Sequence, residues 1–256
     1  MHQRRPLLDM DRATPWQGWA AACLMAGVAA LAVPSGFAAA KDKLKAPAAA
    51  AKAMPLPAPA ADWPLGSERA KVTLVEYGSL TCSHCADFNN LVLPNLQAKY
   101  VDTGRVRYVF RAFPTAPMGL SYPMHSLARC AGPKAYHRVV DAFFRQQMVI
   151  FEAAQQGKGA KDAVYSAFTG ASGMNEAQAD VCLRTQSYAD DVNQQSVKGE
   201  AMGVEGTPTL FIQTPKDIAL LPPPYDTERV GRALDEALAA QPAKPKAKAK
   251  PKAKKP

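Results

Sequence analysis

The sequence predicts an α/β fold, a sheet with flanking helices that carries an inserted α-helical domain between its second and third strands. Three observations predict it. A strand-like, a helical and a second strand-like segment follow one another within residues 72–113. A block of helical spacing then fills about residues 116–202. Strand patterning returns only after Gly206, and an amphipathic helix closes the pattern.

The segment Val72–Tyr77 (VTLVEY) is short, apolar and β-branched, as for a buried strand, and Gly78 with Ser79 breaks it. A helix is expected from about Cys82 to Tyr100, with Phe88, Leu91, Val92 and Leu96 at three- and four-residue spacing. Pro94 should kink it, because proline lacks the N–H and crowds the preceding turn. Asp102 to Gly104 turn the chain into a strand from Arg105 to Phe113, with Val106, Tyr108 and Phe110 alternating. Such close strand–helix–strand units favour right-handed crossovers.

Four helices stand out in the block. Val139, Val140, Phe143 and Phe144 form one apolar stripe, and Val164 with Phe168 another. A third helix runs through Val181, Cys182 and Leu183, and a fourth should end on Gly203 as a left-handed cap. The block is too long for a loop and is expected to form a lid. Gly206, Thr207 and Pro208 introduce a strand Thr209–Gln213, with Ile218–Leu221 as hairpin partner. The last helix covers about Asp226 to Ala240, with Val230, Leu234 and Leu238 in register.

The ends of the 256-residue chain do not read as globular. Residues 1–40 resemble an export signal: Arg4, Arg5 and Arg12, an apolar run from Trp16 to Val33, then Ala38, Ala39 and Ala40 as a cleavage site. An uncleaved membrane anchor is the alternative. Residues 41–61 are an Ala/Pro/Lys-rich tether, and residues 241–256 a disordered Lys/Ala/Pro tail. The formal charge of +9 belongs to these ends: residues 1–40 hold +1, 41–61 hold +3 and 241–256 hold +7, leaving −2 on residues 62–240. The tail suits weak contact with an anionic envelope surface, or simple solubility. Without interleaved aromatic residues it does not argue for nucleic acid.

Of five cysteines, Cys23 lies within the apolar run, so a cleaved chain would keep four, an even number that suits an oxidising compartment. Cys82 and Cys85 enclose Ser83 and His84 at a strand-to-helix junction. That spacing lets two sulfurs meet in a small ring, and the helix start offers free N–H groups to a thiolate. Cys82, at the exposed start, is the expected nucleophile, and Cys85, one turn inside, the resolving thiol. His84 is expected to stabilise the thiolate further, by charge or hydrogen bonding, or else to stand as a solvated helix-start residue. This chemistry calls for no cofactor. A metal site is the competing reading, but no second Cys-x-x-Cys exists to complete a closed zinc centre, so no metal is expected.

Val72–Tyr77, the Cys82–Cys85 centre and Gly206–Phe211 (GTPTLF), in that order, resemble the DsbA-like branch of the thioredoxin superfamily over about residues 62–240. The resemblance implies a thioredoxin-like fold with a helical insertion. It implies a periplasmic thiol–disulfide oxidoreductase that introduces disulfides into reduced or unfolded exported proteins and is reoxidised by a membrane partner. It further implies that Pro208 is a cis-proline facing the disulfide, that Thr207 pairs with the substrate backbone, and that Glu76 is the buried acid relaying a proton to Cys85. A trans turn proline and an ordinary strand-end carboxylate are the plain alternatives. Ser83 departs from the Pro-His dipeptide of the family's strongest oxidants, so an isomerase or reductase of the same fold stays open. A non-catalytic envelope or metal-binding protein is the remaining reading. Cys130 and Cys182 are expected either to form a structural disulfide, as in some members, or to be separately buried.

Overall fold

Every residue of β1 (Val72–Gly78) is buried, as a strand covered on both faces requires. β1 lies between β2 (Val106–Ala112) and β3 (Thr209–Gln213), with β4 (Ile218–Leu221) at the edge, in the order β2-β1-β3-β4. β2 is parallel to β1, while β3 and β4 run antiparallel to their neighbours. The computed structural model describes residues 61–242. The expected signal, the tether up to residue 60 and the tail from residue 243 lie outside the described residues. Among the described residues no helix is long and apolar enough to cross a membrane.

Strand alternation divides the interior in two. Leu74, Tyr108, Phe110, Leu210 and Ile212 face the larger core, which they share with most of the helices. Val75, Tyr77, Val109 and Phe211 face a smaller one, closed by Val204. The helix after β1 begins as α1 (Ser83–Asp87), widens into a π turn over Phe88–Val92, resumes as α2 (Leu93–Leu96) and widens again over Gln97–Val101. The kink expected at Pro94 takes that form: Leu93 N–H reaches back five residues to the Phe88 carbonyl. The wider turn relieves the clash that proline creates with the carbonyl four residues before it.

The insertion holds six helices rather than the four that stand out in the sequence: α3 (Met118–Cys130), α4 (Tyr136–Arg145), α5 (Gln147–Gln155), α6 (Ala160–Ser172), α7 (Glu176–Arg184) and α8 (Gln186–Ala201). α3 contains Pro123, which masks it, and only Gln146 separates α4 from α5. α8 ends as expected: Gly203 takes φ +81° and Val204 N–H closes on the Gly199 carbonyl. Gly199 is also where α8 meets β1, since a Cβ there would stand 2.9 Å from the Tyr77 ring. α9 (Thr227–Ala239) opens on Asp226, whose side chain accepts from Arg229 N–H, a cap that satisfies one of the free donors of the first turn.

Two links fasten the insertion to itself. Arg129 is fully buried, donates from Nε to Asp191 Oδ2 at 2.7 Å and stacks 3.6 Å over the Trp63 ring. It thus ties α3 to α8 and to the segment entering the sheet. Beside it a disulfide joins Cys130 of α3 to Cys182 of α7, with Cα atoms 5.7 Å apart and a sequence separation of 52. A loop of that length corresponds to about 4 kcal/mol in the chain-entropy description. Replacing both cysteines by alanine is expected to lower the unfolding free energy by about 3–4 kcal/mol, read as a fall in denaturant midpoint at constant slope. An unchanged midpoint would mean that the bridge constrains nothing in the unfolded chain.

Candidate active site

The Cys82–Cys85 pair sits where β1 hands over to its helix. Cys82 is the N-cap residue, still extended (φ −91°, ψ 122°), and Cys85 lies in the first turn. The connecting turn leaves the sheet, so its backbone groups need partners from elsewhere. Ser79 hydroxyl shares hydrogen bonds with Thr81 Oγ1 (3.0 Å) and Ser121 Oγ (3.1 Å), and accepts from Thr115 N–H (3.1 Å). Leu80 N–H donates to His125 Nε2 (3.2 Å). Gln147 Nε2 donates to the Leu80 and Cys82 carbonyls at 2.8 and 3.1 Å. Burial holds His125 down at about 3, so it stays a neutral acceptor. Ser121 and His125 belong to α3 and Gln147 to α5. The insertion expected as a lid therefore buttresses the turn, because the turn's polar groups draw it there.

Cys82 is half-buried and Cys85 buried, both as free thiols. The Cys82 thiol donates to the Thr207 carbonyl at 3.3 Å, and the Thr207–Pro208 bond is cis. Four groups favour the Cys82 thiolate: the Cys85 thiol, foremost, then the Thr207 side chain and the backbone N–H groups of Cys85 and His84. Together they bring Cys82 from the ordinary 9.0 to about 5 despite partial burial. The Thr207 carbonyl opposes them weakly, since it can accept only from the protonated thiol. Cys85 moves the other way, well above its ordinary value, first through burial and then because its proton is committed to Cys82.

Glu76 lies on the core face of β1, completely buried. Tyr108 OH donates to Oε2 at 2.6 Å, and Asn89 Nδ2 donates to Oε1 at 3.0 Å and Oε2 at 3.2 Å, and also to the Cys85 carbonyl at 3.1 Å. Burial outweighs these hydrogen bonds and raises the carboxyl to about 8, so it carries its proton at neutral pH. Gly78 completes the packing: a Cβ there would fall 2.5 Å from the Phe110 ring and 2.9 Å from Glu76 Oε1.

The structure thus brings Cys82, Cys85, His84, Glu76, Thr207 and Pro208 together, and places Cys130 and Cys182 apart, within the insertion. His84 acts on the thiolate through its backbone N–H, while its imidazole is exposed and lines a groove beside Pro208. Asn89, Tyr108, Gln147 and His125 do not stand out in the sequence as site residues. Asn89 leaves a trace, standing four residues after Cys85 and so on the same helix face. Among the described residues no group of three His, Cys, Asp or Glu is placed to hold a metal ion.

A central strand, a Cys-x-x-Cys at the helix start and a cis-proline across from it define the thioredoxin class of thiol–disulfide proteins. Comparison with known proteins narrows this. A family model described as thioredoxin matches residues 60–235. A Rickettsia typhi protein that bears the name protein-disulfide oxidoreductase is 28% identical over 182 residues, 69% of this chain and 62% of the relative's length. The disulfide bond formation protein D of Bacillus subtilis is 25% identical over 157 residues, 58% of this chain and 66% of that relative. The crystal structure of Wolbachia pipientis alpha-DsbA1 superposes with a TM-score of 0.61 at 23% identity, over 72% of this chain and 94% of that one. The chain belongs to the thioredoxin family, and it shares its fold with the DsbA structure.

Two pH dependences follow. Alkylation of reduced protein at Cys82 is expected to titrate near pH 5, and mass spectrometry after timed iodoacetamide quenches would report it. A midpoint near 9 would mean that the converging donors do not act. Glu76, in turn, titrates near 4.5 unfolded and near 8 in the folded dithiol form, so between those values the folded protein binds the extra proton. The contribution of Glu76 to stability should be largest below about pH 4.5 and decline as pH rises through 8. Glu76→Gln should flatten that slope in denaturant titrations. Cys82 has the opposite sign in reduced protein, adding stability as pH rises from about 5 to 9.

Proposed function

We propose that this protein is a periplasmic oxidase of thiols, passing the Cys82–Cys85 disulfide to reduced or unfolded exported proteins. The observation that carries the reading is the opposed tuning of the two sulfurs, about 5 at Cys82 against a strongly raised Cys85. A substrate thiolate attacks Cys82 Sγ and breaks the Cys82–Cys85 bond. Cys85 departs as a thiolate and, being the more basic group, takes the proton held by Glu76. A second substrate thiolate then attacks the substrate sulfur of the mixed disulfide. Cys82 leaves as a thiolate that four donors already stabilise, and a low-pKa leaving group departs fastest. Two electrons have moved from substrate to protein, and a membrane partner that withdraws them would restore the disulfide.

Thr207, whose carbonyl faces Cys82, is proposed to align an extended substrate backbone, with Pro208 against the sulfur pair. Residues 1–40 are proposed as the export signal, 41–61 as a tether ahead of the 62–240 domain, and the Lys-rich tail as a weak contact with anionic envelope surface. The name of the Bacillus subtilis relative supports disulfide formation as the direction.

Equilibration in glutathione buffers, read by mass after alkylation, tests the direction. A potential near about −120 mV is expected of a disulfide donor, whereas about −270 mV, the thioredoxin value, would make the protein a reductant. Cys85→Ala should accumulate the mixed disulfide at Cys82. Glu76→Gln should slow the step in which Cys85 is released by roughly a hundredfold while the Cys82 alkylation midpoint stays low. Equal rates in both proteins would remove Glu76 from the proton path.

A further inference from the structure

The groove beside the reactive sulfur has an asymmetry of charge. It encloses about 600 Å³ between the helix start on one side and the loop from Gly203 to Thr209 on the other. Phe88, Val92, Leu220 and Tyr225 give it an apolar lining, and the Phe88 and Tyr225 rings meet edge to face at 6.5 Å. Asp87 adds a carboxylate from the helix wall and Glu205 one from the loop wall, both exposed. No Lys or Arg is among the lining residues.

Resting on the exchange reading above, we propose that this groove selects polypeptide segments with a Lys or Arg within about two residues of the reacting cysteine. The two basic side chains suit both parts of the lining: the aliphatic stem covers apolar surface while the charged head reaches the rim. An acidic segment would instead bring a third like charge between Asp87 and Glu205. The reach follows from the backbone. A substrate paired at Thr207 extends roughly 7 Å over two residues, and Glu205 stands two residues before Thr207 in the chain. The −2 charge of residues 62–240 provides no surplus of cations to cancel the pair. Asp87 and Glu205 are thus specificity-determining residues, apart from the groups that move protons or electrons.

The test uses dithiol peptides identical except for Lys, Ala or Glu beside each cysteine, mixed with the oxidised full chain and followed by rapid quench and mass. Flanking charge alters the intrinsic thiol reactivity, so each rate is divided by that of the same peptide with a neutral small-molecule disulfide. The corrected Lys-to-Glu ratio is expected to be about threefold to tenfold at low salt and to fall toward one near about 0.5 M salt. In the double variant Asp87→Asn, Glu205→Gln the ratio should collapse at every salt concentration. Because the ratio is taken within each protein, a smaller folded fraction cancels, and the Lys-rich tail, which acts alike in both proteins, cancels when the two ratios are compared. A wild-type ratio of one, or a ratio unaltered by the double variant, overturns the groove inference and leaves disulfide exchange standing. Exchange with none of the peptides overturns both.

Discussion

A carboxyl group with no exposure to water lies beneath two sulfurs, and much of the surrounding structure exists to make that tolerable. An ionised Glu76 in the core would cost several kcal/mol without compensation. The fold meets this by letting the group keep its proton and by giving both oxygens donors, Tyr108 from β2 and Asn89 from the helix. Those partners depend on register. Glu76 stands opposite Phe110, which places Tyr108 two residues along on the same face, close enough for its hydroxyl to cross. Asn89 arrives because the helix starts at Cys82, so a residue one turn past Cys85 points back at the strand. Displacing β2 by one residue, or the helix by one position, would leave the acid buried and unpartnered.

The same placement explains how two cysteines three positions apart acquire opposite character. Both belong to one helix start, so the dipole alone would favour thiolate at either. Position decides between them. Cys82 is outside the first turn and collects donors from the helix and from the Thr207 loop, whereas Cys85 is inside, desolvated and above Glu76. The hydrogen bond between the sulfurs then reinforces the difference, since the proton Cys85 lends is what makes Cys82 the anion. Burial of the acid and exposure of the nucleophile are two ends of one gradient along β1 and its helix.

Much of this was legible from local pattern. Strand bounds at Thr209–Gln213 and Ile218–Leu221, the Gly203 cap and the helix beginning at the pair follow from alternation, β-branching and capping chemistry, which act over a few residues. The rest of the site depends on tertiary placement. Gln147 and His125 sit 65 and 45 residues from the backbone groups they satisfy, and nothing in their own neighbourhoods marks them out from other polar helix residues. α3 carries Pro123 in its interior, where proline is disfavoured, so local pattern does not mark it as a separate helix. His84 was readable as a contributor to the thiolate, but which of its atoms contributes depends on the turn of the helix, and its backbone N–H is the atom that faces the sulfur.

The insertion's part in the chemistry runs through α3. Its Ser121 and His125 hold the turn that aims Cys82, its Arg129 is locked against Asp191 and Trp63, and its last residue is bridged to α7. A helix tethered at one end would still swing at the other. α3 is fastened beyond its polar contacts with the active-site turn, by an ion pair and a covalent link on consecutive residues, Arg129 and Cys130. A buried ion pair is a weak source of net stability, because desolvating both charges consumes most of their attraction. Its value here is directional: the guanidinium fits one arrangement of α8, α3 and the Trp63 ring, so rotating α3 would strand a charge. The disulfide adds stability without specifying orientation so closely. Together they make the rear of the active-site turn rigid, which leaves the Thr207 loop and the open groove as the side on which a substrate can be accommodated.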